Sequence, residues 1–575
     1  MSGTGVGSVP SQVGGGVDAP GTPAAVLVGT PVVPGVGYGP VIRPGARPEV
    51  PARGADLPEP VRPAERQRFL AAAELVSGRL LARADAAAGA GAEVLRATAA
   101  LATDRGWLGA AGTLIDDGAG AEAAAAAATE QFAAVFTKLG GLMAERVTDL
   151  LDVRDRVVAE LLGASEPGIP APAVPSVLLA RDLAPADTAV LDPALVLGIA
   201  TTLGGPTSHT AIIARQLGIA CVVGVTGLDE VGVGTPVLVD GGAGRVEVEP
   251  APERAAAAVA HAAEIRRRTE SWTGPGRTRD GHPVAVLANV QDGAGARAAA
   301  SSAAEGIGLF RTELAFLDRD TEPTVEEQAA IYREVFDAFA DCKVVVRTLD
   351  AGSDKPLKFA GPTDEPNPAL GVRGYRIAAE HPGMLDRQLD AIALAARQST
   401  ASVLVMAPMI ATVAEAAEFA AAVRDRGLVP GVMVEVPAAA LLADRMLEHV
   451  DFLSLGTNDL TQYTMAADRL SAPLAALSDP WQPAVLALVA RTAADGARAG
   501  KAVGVCGEAA ADPLLACVLA GFGVTSLSMA ASAVAATGSA LSEVDLARCR
   551  AAAEAALGAT DPQSARARAA EILRG

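Results

Sequence analysis

Rings are scarce in this chain. Aromatic residues make up 3% of its 575 residues although apolar residues make up 50%, so a core must be built from Ala, Val, Leu and Ile. At this length that core belongs to several domains, because single cores stop growing at about 250–300 residues. Positive charge is short as well. Against 67 Asp and Glu stand 47 Lys and Arg, a formal net charge of −20, which opposes a phosphate backbone and argues against general nucleic-acid binding. A small basic protein is a better-matched partner. No run reaches the ~20 uncharged apolar residues of a membrane span. The first 25 residues, MSGTGVGSVPSQVGGGVDAPGTPAA, lack the charged start and apolar stretch of a signal peptide, and a cytoplasmic location is expected. The five cysteines, Cys221, Cys342, Cys506, Cys517 and Cys549, form no CxxC pair, which leaves no sequence reason for zinc or dithiol chemistry. Most are expected to be buried small hydrophobes.

What is present falls into segments. Residues 1–25 are rich in Gly, Pro and Ser and read as a disordered tail. Residues 26–60 and 164–250 carry short β-branched runs separated by Gly and Pro, such as SVLLARDL, CVVGV and PVLVDGG, and predict one β-rich domain. Between them, residues 61–163 show helical spacing and few prolines, so a helical subdomain is predicted as an insertion. A helical linker follows over 251–275. From 276 to 575 strands alternate with Ala-rich helices: VAVLANV, GIGLFRTE, KVVVRTLD, SVLVMAPM, GVMVEVP, DFLSLG, AVGVCGE and SLSMA. Eight such repeats over nearly 300 residues predict a TIM (β/α)8 barrel. The fold class expected is therefore α/β multidomain.

Two sites carry chemistry. In GGPTSHTAIIARQLG two glycines close a strand and a helix pattern begins near Thr207 or Ser208, which puts His209 in the first helical turn. Free N–H groups and the helix dipole there favour an anion, and a neutral imidazole is a competent nucleophile near pH 7. A lone histidine at such a place is more often only a cap; here the second site supplies the missing context. Arg311, Arg347 and Glu435 close barrel strands two, three and five. Asn458 and Asp459 follow strand six, Arg469 stands ten residues beyond Asp459, and Cys506 ends strand seven. The C-terminal strand ends of a TIM barrel converge on one pocket. Three arginines suit a phosphate and a carboxylate, and two carboxylates suit a Mg²⁺ that keeps several waters. The implied substrate is small, anionic and phosphorylated.

Together these segments resemble Enzyme I of the bacterial phosphoenolpyruvate-dependent sugar phosphotransferase system. GGPTSHTAIIAR is similar to its phosphohistidine signature. EGIGLFRTE, VVVRTLDAGSDKPL, NPALGVRGYRI, GVMVEVPAA, SLGTNDLTQYTMAADR and GVCGEAA are similar to its barrel segments in the same order. The resemblance implies a phosphoenolpyruvate-protein phosphotransferase with a swivelling phosphohistidine domain. His209 would take the phosphoryl group, with Thr188 as its hydrogen-bonding partner, and pass it to the phosphocarrier protein HPr. Arg311, Arg347 and Arg469 would grip the substrate with help from Asn458 and Asp459, Glu435 and Asp459 would ligate Mg²⁺, and Cys506 would protonate the enolate of pyruvate. Residues 61–163 would dock HPr, and the barrel would form a homodimer. Two departures stand out: Pro206 where many members have Arg, and Thr202 where an acidic residue is common. The nearest alternative, a nucleotide-dependent phosphoenolpyruvate synthase or pyruvate phosphate dikinase relative, needs a nucleotide domain. The ~180 residues before the helical turn of His209 contain no GxxxxGK[ST] loop and are too few for one.

Overall fold

The computed structural model describes residues 25–45, 47–51, 56–86, 90–139, 146–170, 172–183, 187, 191–205, 208–317, 319–352, 357–360, 365–469 and 471–574. The expected tail up to residue 24, Thr188 and Pro206 lie outside them. The chain divides into two compact units, residues 1–264 and 265–575.

The first unit holds a mixed eight-stranded sheet in the order β1-β8-β7-β3-β4-β5-β6-β2. Its strands are β1 (Val26–Val28), β2 (Thr30–Val33), β3 (Val36–Ile42), β4 (Ser176–Ala180), β5 (Val196–Thr201), β6 (Ala220–Val223), β7 (Pro236–Asp240) and β8 (Arg245–Val248). β3 pairs parallel with β4 and antiparallel with β7. Strands from before and after the helices thus lie side by side, and the helices are an insertion. They are α1 (Arg62–Ala86), α2 (Ala90–Ala102), α3 (Arg105–Asp116), α4 (Ala121–Leu139) and α5 (Val147–Leu162).

These helices have a core of their own, with Phe69, Val76, Leu80, Leu95, Trp107 and Ile115 fully buried. Trp107, one of three tryptophans in the chain, packs its ring 5.4 Å from that of Phe69 and donates from Nε1 to Thr129 Oγ1 at 3.0 Å. A ring buried with its polar atom satisfied compensates for the scarcity of aromatics around it. Arg156 of α5 is also fully buried and spends each guanidinium nitrogen on a carboxylate: Nε on Asp152 at 2.7 Å, Nη1 on Glu166, and Nη2 on Asp187 at 2.7 Å. Such a charge is tolerated only when every donor is paired. It ties α5 to the segments that lead into β4 and β5.

In the second unit eight parallel strands close into a barrel. They are β9 (Ala285–Val290), β10 (Gly306–Arg311), β11 (Lys343–Arg347), β12 (Ser402–Ala407), β13 (Val429–Val434), β14 (Phe452–Leu455), β15 (Ala502–Val505) and β16 (Ser526–Met529), with β16 pairing back to β9. All eight coincide with the strands predicted from sequence. The Ala-rich helices between them bury one face against the outside of the barrel, while the inside is filled by Leu309, Val345, Met406, Met433, Phe452 and Cys506. Parallel strands buried on both faces need continuous apolar runs, and that is what makes them visible in the sequence. Four of the five cysteines are buried and all are free. Among the described residues, no helix is long and apolar enough to cross a membrane.

Candidate active site

β5 ends at Thr201, and α6 (His209–Leu217) starts after a turn. Ser208 caps it in an extended conformation, its Oγ accepting from the N–H of Ala211 at 3.3 Å. The backbone of His209 is therefore the first residue of the helix, where N–H groups lack intrahelical partners and the dipole is positive. Ala214 of α6 packs with Ile219 and Cys221 against the sheet, which fixes this helix end at the strand edge. Two hydroxyls close to it in sequence, Thr202 Oγ1 and Thr210 Oγ1, are buried without hydrogen-bond partners among the described residues.

At the C-terminal end of the barrel strands lies a buried cluster of opposite charges. Arg347, at the end of β11, is 8% exposed; it donates to Glu313 and pairs with Asp350 at 2.9 Å. Its Nε is buried with no partner among the described residues. Arg373 donates to Asp350 through Nη2 at 3.0 Å and to Asp459 through Nη1 at 3.2 Å. Nη1 also reaches Tyr463 Oη at 3.4 Å. Glu435 follows β13, is 1% exposed, and accepts from the N–H of Met409 at 2.7 Å. A Cβ at Gly456 would lie 2.9 Å from Glu435 Oε2, so only glycine lets the turn before Asp459 pass this close.

Similarity to known proteins follows the same division. Residues 28–146, 173–244 and 266–546 match, in turn, the N-terminal, mobile and phosphoenolpyruvate-binding domains of the PEP-utilising enzymes. A phosphoenolpyruvate-protein phosphotransferase of Streptomyces coelicolor is 49% identical over 93% of this chain and 95% of its own length. The chain belongs to the phosphoenolpyruvate-protein phosphotransferase family. A member from Haloferax volcanii is 41% identical over 80% of this chain and 82% of its own. An NMR structure of an Enzyme I protein aligns over 43% of this chain and all of that one, at 30% identity and a TM-score of 0.36. As a member of this family the protein is an enzyme of phosphoenolpyruvate-dependent phosphoryl transfer.

The electrostatics of the barrel mouth follow from its crowding. Burial, then the neighbouring Asp350 and Asp459, push the Glu435 carboxyl up to about 8 in spite of Arg347 and Arg373. Burial alone would lower both arginines; Glu313 and Asp350 around Arg347, and Asp350 and Asp459 around Arg373, hold them above the ordinary guanidinium value. Four carboxylates, Glu313, Asp350, Glu435 and Asp459, share two buried guanidinium groups. This excess of negative charge fits a divalent cation at Glu435 and Asp459. Among the described residues no three acidic, His or Cys side chains converge on one ion, so the remaining positions would fall to waters and substrate oxygens. Cys506 is 3% exposed, its Sγ 3.5 Å from the carbonyl of Leu455. Burial pushes its thiol up to about 11, against the influence of Ser454, Arg347 and Arg311.

Not every expected residue enters this cluster. Arg311 ends β10 half-buried, paired in the ladder with Arg347, and its side chain makes no hydrogen bond or ion pair with the described residues. Asn458 Oδ1 accepts from the N–H of Glu508 at 2.9 Å, which ties the helix Thr457–Met465 to the loop after Cys506. Arg469 is exposed, and only its backbone N–H is held, by Gln462. Conversely, Glu313, Asp350, Arg373 and Tyr463 are central here and were not singled out from the sequence. Each lies within a segment already recognised: FRTE, RTLD, GVRGYRI and TQYT. Arg373 in particular sits in a loop, where no strand end announces it.

Proposed function

We propose that the enzyme transfers the phosphoryl group of phosphoenolpyruvate to His209 and from there to the histidine of HPr, releasing pyruvate, as the first step of sugar uptake by the phosphotransferase system. The observation that carries this reading is the buried Arg347–Arg373 pair at the C-terminal end of the barrel strands, with Arg347 Nε left without a partner among the described residues. Fork-shaped donors of this kind match the phosphate and carboxylate of the substrate. Arg347, Arg373 and Arg311 bind and orient those groups, and Asn458 and Arg469 complete the grip as the loops around them close. The imidazole of His209, steadied by Thr188, attacks phosphorus in line with the departing enolate oxygen, whose charge the guanidinium groups neutralise. Glu435 and Asp459 would hold Mg²⁺, which supplies further neutralisation of the phosphoryl oxygens. Cys506, kept as a thiol by burial, then gives its proton to C3 of the enolate.

In this reading residues 61–163 dock HPr, residues 26–60 and 164–250 form the phosphohistidine domain that moves on the 251–275 linker, and residues 276–575 bind substrate and form a homodimer in the cytoplasm. Incubation with phosphorus-labelled phosphoenolpyruvate and Mg²⁺, without nucleotide, should label His209 alone, and chelation of the metal should abolish the label. A requirement for ATP or AMP would instead favour the dikinase-like alternative.

A further inference from the structure

The interior of a TIM barrel is ordinarily filled by bulky branched side chains, and this one departs from that on one side. β10 to β13 contribute Leu309, Val345, Met406 and Met433. β14, β15, β16 and β9 set Ser454, Gly504, Ser526, Ser528 and Asn289 beside Phe452 and Leu287. The result is a polar seam on the β14–β9 side. At its N-terminal end is a cavity of about 10 Å³, with apolar walls that include Leu287 and Phe452 and a polar side made by Lys343, Ser454, Ser526 and Ser528, about enough for one water. Gly504 keeps it open, since a Cβ there would stand 2.6 Å from Ser526 Oγ. At the other end Asn289 Nδ2 donates to the carbonyl of Cys506 at 3.2 Å, and Ser528 Oγ donates to Asn289 Oδ1.

The two ends meet at the thiol. Cys506 is held at both its N–H (3.0 Å) and its Sγ (3.5 Å) by the carbonyl of Leu455, the residue after Ser454, and the Ser454 hydroxyl favours the thiolate. Lys343, the first residue of β11, is half-buried, with its Nζ 5.8 Å from the centre of the Phe452 ring. It forms no ion pair with the described residues, and burial lowers its ammonium below the ordinary lysine value. Cys506 is almost fully covered, and bound pyruvate would close it from the mouth side.

We propose that this seam returns the proton that Cys506 gives up, drawing it from the N-terminal end of the barrel through Lys343, a water in the cavity and the Ser454 hydroxyl. The proposal rests on the reading of Cys506 as the enolate's proton donor. The transfers balance. As the C3–H bond forms, the S–H bond breaks; the thiolate takes the proton of Ser454 O–H, Ser454 takes one from the water, and the water takes one from the Lys343 ammonium, which solvent reprotonates. Lys343 and Ser454 are positioning residues, since neither touches the substrate.

The test is deuterium entry into C3 of pyruvate in D₂O, with the full-length enzyme and Mg²⁺, compared with His209 labelling from phosphoenolpyruvate in the same preparations. Ser454→Ala and Lys343→Met should each lower exchange relative to labelling by about tenfold or more, and Ser454→Thr, which keeps the hydroxyl, should restore it. If Cys506→Ala abolishes exchange while Ser454→Ala and Lys343→Met match the wild type, the route is overturned and the role of Cys506 stands. If Cys506→Ala exchanges like the wild type, both are overturned. Equal loss of exchange and labelling in Ser454→Ala without rescue by Ser454→Thr would show packing, and would also overturn the route.

Discussion

Arg373 carries Asp350 on one edge of its guanidinium and Asp459 on the other, with Nη2 3.0 Å from Asp350 Oδ2 and Nη1 3.2 Å from Asp459 Oδ1. Arg373→Leu should therefore do two things. It leaves buried Asp459 uncompensated and Asp350 with Arg347 alone, a loss of about 3–5 kcal/mol of stability, visible as a lower denaturation midpoint. Arg373→Lys keeps the charge but cannot span both partners. If the guanidinium also holds the substrate, its KM for phosphoenolpyruvate should rise about tenfold or more. A lysine variant with unchanged KM would confine Arg373 to a structural role.

His209→Ala should lose all labelling by phosphoenolpyruvate while folding normally, because a substitution at the first residue of a helix usually costs about 1 kcal/mol or less. A fragment of residues 1–264, the first compact unit, should accept phosphate from phosphorylated HPr and none from phosphoenolpyruvate, since Arg347, Arg373 and Glu435 lie in the second. Direct labelling of that fragment would move the donor site into it.

Asp187 gives the same fragment a pH signature. Burial, then the charge of Asp152, push its carboxyl from 3.8 up to about 6, despite Arg156. A carboxyl raised in the folded state binds its proton more tightly there than when unfolded. Its contribution to stability is thus full below about pH 4 and is lost as pH rises through 6. Urea denaturation of the fragment between pH 4 and 7 should show this decline, and Asp187→Asn should flatten it. An unchanged slope in the variant would assign the decline to another group.

Cys506 is held as a thiol across the physiological range by burial. Cys506→Ala should slow enzyme-catalysed formation of ketonic pyruvate by about 10² to 10⁴-fold and affect labelling of His209 far less, because the thiol takes no part in attack on phosphorus. Rapid-quench labelling beside a pyruvate proton-exchange assay separates the two steps. Equal loss in both would indicate packing.

Much of this protein is legible in its sequence, for local reasons. The eight barrel strands announce themselves because a strand buried on both faces must be a continuous apolar run. The insertion of the helices shows because the pattern changes period at both ends, and the start of α6 shows because Ser208 is a capping residue after two glycines. The residues at strand ends followed directly, Arg347 and Glu435 among them, since a barrel brings its C-terminal ends together.

Which charges meet was decided elsewhere. Arg373 comes from a loop with no strand to announce it, and it finds Asp350 and Asp459, 23 and 86 positions away along the chain, only once the barrel has closed. Arg469, which sequence spacing placed beside them, stands exposed. The serines of the polar seam read as ordinary strand residues until closure turns Ser454, Ser526 and Ser528 onto one cavity. The sequence by itself determined the elements, because hydrophobic period and capping act within a few residues. Only the tertiary structure decided the ion pairs and the seam, because charge coupling depends on distance and burial, and both exist only after distant segments have packed.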